Sequence, residues 1–462
     1  MNQHTPVEGI DPVAEVEAPY LPGRARTIRP GLVMRVRGRS VRLRGLRRQP
    51  GGALRWLAIL GPGLIAGAVS NDAGSIATYS QAGAQFGYEL LWVILLVTIS
   101  LAVVQEMSAR LGAATGRGLL DLIRERFGIG FALLAVIVIM VANFGLVLGE
   151  FIGIGAGMEL LGVSKYLAVP VAAGLIWFLV TAGSYNRVEK VFMVMAAAFL
   201  TYPAAAILSH PHLPDIARGA FVPSIHLNPV YMALLVGLIG TTISPYQQVF
   251  QQSAVVERGA ARHHYGPERW DTYVGMVFSG LVSVFIIIAT AATLHQSGKT
   301  DITSAADAAQ ALQPVAGNAA RLLFATGLVG ASLMAAAILP ISTAFTVAEA
   351  FGLPKGIGAR RRRAPGFFGL FSLILFLGAA LSLIPNIPVF QFLIGVQMLN
   401  GILLPVILVF MLLLINDRRL VGDLKNGRLT NVIGWTTCVL IVISVVFVLA
   451  QQVLGLVGVT FP

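Results

Sequence analysis

The sequence predicts an all-α integral membrane protein. It would hold 11 transmembrane helices: two inverted five-helix repeats with discontinuous helices 1 and 6, plus an eleventh helix. Three observations carry this. The 462 residues are 56% hydrophobic and 12% charged, with a mean hydropathy of +0.79, whereas a soluble domain is about 25% charged. Many apolar runs exceed the roughly 18 residues that suffice to cross a bilayer as a helix. Basic residues alternate between successive connections, as the positive-inside rule requires.

Residues 1–56 form a polar, Arg-rich tail, "RARTIRPGLVMRVRGRSVRLRGLRRQP", with no apolar signal core or small-residue cleavage site. Such a tail is expected to be disordered, cytoplasmic and held near anionic lipid headgroups. The first repeat, 57–209, holds apolar segments near 57–84, 87–109, 129–161, 164–183 and 188–209. The second, 229–415, holds segments near 229–256, 272–295, 317–349, 366–385 and 387–415, and the eleventh lies at 430–456. Breaker-rich connections such as "SHPHLPD", "HQSGKTD" and "FGLPKGIG" separate them.

With a cytoplasmic N-terminus, 29 of the 33 Lys and Arg residues fall on the inner side. Only Lys165, Arg218, Lys299 and Arg321 fall outside. A missing or invented span early in the chain would destroy that alternation. The expectation is a multi-pass protein of the inner or plasma membrane, its C-terminus extracytoplasmic. The net charge of +12 then reports topology and implies no nucleic-acid partner. Cys438, the one cysteine, excludes an intrachain disulfide and a cysteine metal cluster.

Two segments are interrupted. In "GAVSNDAGSIATYSQAGAQFGY" Asp72 falls at a depth where a carboxylate costs several kcal/mol unless something offsets it. In "VYMALLVGLIGTTISPYQQVFQQS" Pro245 removes a backbone donor and disfavours helix at Ser244. Gly240, Thr241 and Thr242 flank that break. The two segments hold the same place in two successive five-span blocks, and an odd number of spans inverts the second block. Interruptions at matching positions mark a midplane site where freed carbonyls and half-helix ends bind ions. Asp72 is the expected cation ligand, with Ser75 one turn on and the carbonyls of Ala73 and Thr241 beside it.

These residues resemble a known family. "GPGLIAGAVSNDAGSIATYSQAGAQFGYELLWVILL" resembles the first two spans of the Nramp divalent-metal transporters, "QEMSARLGAATGRGL" the segment that follows them, and "GLIGTTISPYQQVFQQS" the sixth span. The resemblance covers roughly 57–420 and implies the inverted-repeat fold of the amino-acid and sodium symporters. The family's first-span signature, Asp-Pro-Gly-Asn, reads Asp72-Ala73-Gly74-Ser75 here. Its sixth-span signature, Met-Pro-His, reads Ser244-Pro245-Tyr246. The thioether that selects soft metals is gone, and a set of oxygens suits Mg²⁺, Ca²⁺ and Mn²⁺. Mg²⁺ also tends to keep part of its water shell. The pattern resembles the Nramp-related magnesium transporters.

The family's titratable groups are thinned as well. Glu150 is kept, but Val147, Tyr246 and Gln251 stand where an Asp and histidines would be. Strong proton coupling is therefore not expected. Glu150 is either an acceptor behind the ion or a group paired with a neighbouring donor. Gln397 matches the family's tenth-span glutamine near the ion, and Asn400 one turn on joins it or bridges helices. Asn143, Gln247 and Gln248 read as helix-bridging groups, Tyr79 and Gln81 as lining the entrance, and Glu106 with Arg110 as an i, i+4 ion pair. No cofactor and no enzymatic motif is implied; the divalent cation is cargo. Alternatives are a proton-coupled Mn²⁺/Fe²⁺ importer and a non-transporting receptor or sensor on the same fold.

Overall fold

The structure, a computed structural model, describes residues 32–36, 39–43, 70–181, 201–257, 265–356 and 364–456. The chain divides into two compact units, Met1–Arg55 and Trp56–Pro462. In the first, β1 (Leu32–Val36) and β2 (Arg39–Leu43) pair antiparallel. The β-branched Val33, Val36 and Val41 suit such a ribbon, which the reading of the tail as disordered did not include. The rest of the tail lies outside the described residues.

The second unit is helical. In chain order it holds α1 (Ala73–Phe86), α2 (Leu91–Thr115), α3 (Leu119–Phe127), α4 (Ile129–Leu160) and α5 (Lys165–Thr181). Then come α6 (Thr201–Leu208), α7 (Leu213–Phe221), α8 (Pro229–Thr242), α9 (Pro245–Glu257) and α10 (Tyr265–Thr290). The four long helices that follow are α11 (Ala320–Phe351), α12 (Pro365–Ser382), α13 (Val389–Asn416) and α14 (Arg428–Leu456); short helices Ala305–Ala309 and Gln313–Ala316 precede α11, and Arg418–Val421 precedes α14. Among the described residues eight spans are long and apolar enough to cross a membrane, with α8 and α9 counted as one. α5 is apolar but shorter. α1 and α6 are the described parts of the first and fifth expected segments; residues 57–69 and 182–200 lie outside the described set.

Several short helices were not foreseen, α3 and α7 among them. α3 buries Leu119, Leu120, Leu122 and Ile123 while Glu125 and Arg126 are exposed, so it lies along the bundle rather than through it. α7 has no buried residue at all.

Helices at equal positions of the two repeats pack on each other. α4 packs most extensively on α11, and α2 on α10. In the expected order these are the third with the eighth span and the second with the seventh. Small residues let the first pair approach closely: Gly153 and Gly157 of α4 face Ser332 and Val329 of α11. α1 sits between α10, α13, α8 and α4, so the first break is enclosed by helices of both repeats.

Candidate metal site

α1 begins at the first break because Asp72 caps it. The carboxylate Oδ1 accepts from Ser75 N–H at 2.7 Å and from Gln397 Nε2 at 3.1 Å. Asp72 is only 2% exposed. Desolvation of that carboxylate is offset in part by these donors and by the positive end of the α1 dipole. Ser75 Oγ lies 2.7 Å from Asp72 Oδ1, 3.0 Å from the Ser70 carbonyl and 2.6 Å from Thr241 Oγ1. That last contact joins the first break to the second across 166 residues of sequence.

The second break lies between α8 and α9. Pro245 has no N–H, so the Thr241 carbonyl four residues back loses its helical donor. Ile243 leaves the helical region (φ −117°, ψ 88°) and the chain restarts at Pro245. Ser244 Oγ turns back to donate to the Gly240 carbonyl at 2.8 Å. Thr242 Oγ1 lies 3.0 Å from Tyr79 Oη and donates to the Leu238 carbonyl. Tyr246 is buried, its carbonyl accepting from Ser342 Oγ at 3.3 Å.

Two glycines permit the assembly. A Cβ on Gly74 would overlap the Gln397 amide, and one on Gly240 would overlap the Gln397 carbonyl and the Gly401 nitrogen. Through them α13 lies against both breaks. Asn400 Nδ2 donates to Gln397 Oε1 at 3.3 Å, which fixes the amide so that its NH₂ faces Asp72. Gln397 therefore holds the carboxylate with a donor rather than facing it with an oxygen.

Glu150 of α4 reaches the same place. Its Oε2 accepts from Ala73 N–H at 3.3 Å. Two carboxylates thus meet the N-terminus of α1. Because Ala73 is the first residue of α1, it offers the break its N–H, and the loop carbonyl there is that of Ser70. Of the sequence-predicted set, Asp72, Ser75, Thr241, Gln397, Asn400, Glu150 and the Ala73 backbone form one connected group. Thr242 pairs with Tyr79 one turn along α1, while Ser244 and Tyr246 line the second break without a hydrogen bond to Asp72 among the described contacts. No group of three or more His, Cys, Asp or Glu side chains gathers among the described residues.

Sequence reasoning missed Ser70 and Asn71. Ser70 accepts from Gln247 Nε2 at 3.2 Å, and Asn71 exchanges contacts of 3.3 Å with Ser279 and Ser283 of α10. Their adjacency to Asp72 in an apolar span was the available signal. Gln247 bridges helices as expected, taking a bond from Gln105, and Asn143 donates to Thr343 at 2.8 Å. Arg110 and Glu106 form the expected ion pair at 3.1 Å. Gln81 lines a cavity of about 770 Å³ with Gln85, Asp301, Met398 and Gln451.

A family model described as natural resistance-associated macrophage protein-like, Nramp, matches residues 63–451. The chain belongs to the Nramp family. With its apolar spans, this Nramp chain is a multi-pass membrane protein. Solved structures share the fold. A manganese transporter of Eremococcus coleocola, in complex with an aromatic bis-isothiourea compound, superposes with a TM-score of 0.65 at 21% identity, covering 87% of this chain and 88% of that one. A histidine-to-alanine mutant of that transporter gives 0.67 at 21% identity, covering 88% and 90%. MHP1, a nucleobase-cation-symport-1 family transporter in a closed conformation, gives 0.52 at 15% identity, covering 84% and 92%. The inverted-repeat architecture is thus common to this Nramp chain and to a symporter of a different family.

Proposed function

We infer that this Nramp chain transports divalent metal cations, Mg²⁺ with Mn²⁺, across the inner or plasma membrane. The observation that carries the reading is the hydrogen-bonded joint between the two breaks, from Asp72 through Ser75 to Thr241. It gathers a carboxylate, two hydroxyls and loop carbonyls, with serine at the family's thioether position. Such hard oxygens favour Mg²⁺ and Mn²⁺ over softer metals, and a Mg²⁺ ion keeping several waters needs only one or two carboxylates. The cation would be carried partly hydrated, without strong proton coupling, from a chain whose N-terminus is cytoplasmic.

Parallel uptake of Mg²⁺, Mn²⁺ and Fe²⁺ into proteoliposomes tests this. Mg²⁺ and Mn²⁺ should be taken up, with excess Mg²⁺ suppressing Mn²⁺ flux. Flux of Mn²⁺ and Fe²⁺ that is indifferent to excess Mg²⁺ would overturn the Mg²⁺ assignment. One observation favours the second reading, a proton-coupled Mn²⁺/Fe²⁺ importer: Glu150 stands at the α1 N-terminus as a second carboxylate.

A further inference from the structure

A pocket of about 670 Å³ lies between α3, the end of α13 and the start of α14, distinct from the breaks. Arg126, Asp417, Arg418, Arg419, Leu413 and Trp435 are in its wall. Its frame is fixed by Asn416 and Asn431, which exchange amide hydrogen bonds at 2.7 and 2.8 Å and tie α13 to α14. Asp417 is the one carboxylate in the lining. One of its oxygens accepts from Arg419 N–H and the other from Arg126 Nε, both at 2.9 Å. Arg126 therefore neutralises Asp417. Arg418 and Arg419 are exposed, and neither guanidinium has a carboxylate partner among the described residues.

Part of the lining is apolar. Leu413 is 43% exposed and Trp435 38%. The exposed face of α14 continues through Val432 and Val439, and α14 is the least buried of the eight spans. That face is where lipid chains lie, and a tryptophan there sits at the level of the headgroups.

We propose that this pocket binds the phosphate headgroup of an anionic phospholipid. Arg418 and Arg419 take the phosphate through charge-assisted hydrogen bonds. The acyl chains run down Leu413, Trp435 and Val439. A free phosphate offers the same anionic oxygens but would leave the apolar wall unused, so the lipid is the occupant. Basic pockets between membrane helices are suited to such headgroups.

The test uses full-length protein in neutral detergent, titrated with phosphatidylglycerol, with phosphatidylcholine, or with phosphatidylglycerol in the presence of inorganic phosphate. Bound lipid is counted by native mass spectrometry. Wild type should retain phosphatidylglycerol selectively, and the Arg418→Gln/Arg419→Gln variant should lose about tenfold in apparent affinity. The charge-matched Arg218→Gln/Arg321→Gln variant alters exposed arginines on other connections and should bind like wild type. Equal loss in both variants, equal retention of phosphatidylcholine, or displacement by millimolar phosphate would each overturn the proposal.

Discussion

At the scale of single residues, the site rests on one carboxylate and the amide that holds it. Asp72→Asn keeps an acceptor oxygen for Ser75 N–H and so keeps the α1 cap, but removes the charge that would bind a cation. The variant should fold, as judged by gel filtration and thermal unfolding, and take up Mg²⁺ at background rates. Near-normal uptake would sink the assignment. Gly74 offers a second test. Its added methyl group would meet the far end of the Gln397 side chain, which can move aside only by leaving Asp72. Gly74→Ala and Gln397→Ala should therefore slow uptake similarly, and the double variant should be little worse than either. Additive losses in that cycle would mean that the two residues act independently.

At the scale of elements, the break between α8 and α9 sets which atoms reach the site. Ser244 Oγ is 2.8 Å from the Gly240 carbonyl, at the turn where α8 ends. Ser244→Met puts a soft sulfur on that turn, and Cd²⁺ should then compete better against Mg²⁺ uptake than in wild type. An unchanged competition ratio in a variant that still transports would count against the selectivity argument. The breaks were legible in the sequence because Asp72 and Pro245 are conspicuous inside apolar runs. The joint between Ser75 and Thr241 was not, since a hydrogen bond across 166 residues has no local signature. The same holds for the turn of the Gln397 amide, which depends on Asn400. α3 was passed over because its polar face disguises it in a scan for long apolar runs, although four of its nine residues are buried.

At the scale of the whole molecule, one end of α11 is tied to α9 and α3 by a second network. Glu349 of α11 accepts from Ser253 Oγ at 2.7 Å and from Leu120 N–H at 3.3 Å, and Lys355 lies 3.3 Å from it and 2.7 Å from Asp121. This network links α11, α9 and α3, so any change that opens the bundle at that end must break it. Transport is expected to follow the membrane potential, which acts on a divalent cation with roughly 4.6 kcal/mol per 100 mV. In liposomes with a trapped pH dye and a set K⁺ potential, Mg²⁺ uptake should rise with inside-negative voltage without acidifying the lumen. Metal-dependent acidification above passive leak would show that Glu150 or another group sustains coupling and would favour the proton-coupled reading.

The bond from Gln397 to Asp72 spans 325 residues, and this bears on how the protein is made. A ribosome adds about 5–20 residues per second, so roughly a quarter of a minute to a minute separates the two residues. Throughout that interval the first span must wait with its carboxylate lacking the amide that later holds it. Nascent chains stalled before residue 397 should therefore leave the first segment accessible to protease or to the insertion machinery, and release past α14 should protect it. Equal protection in stalled and finished chains would mean that Asp72 is lodged in the bilayer without Gln397.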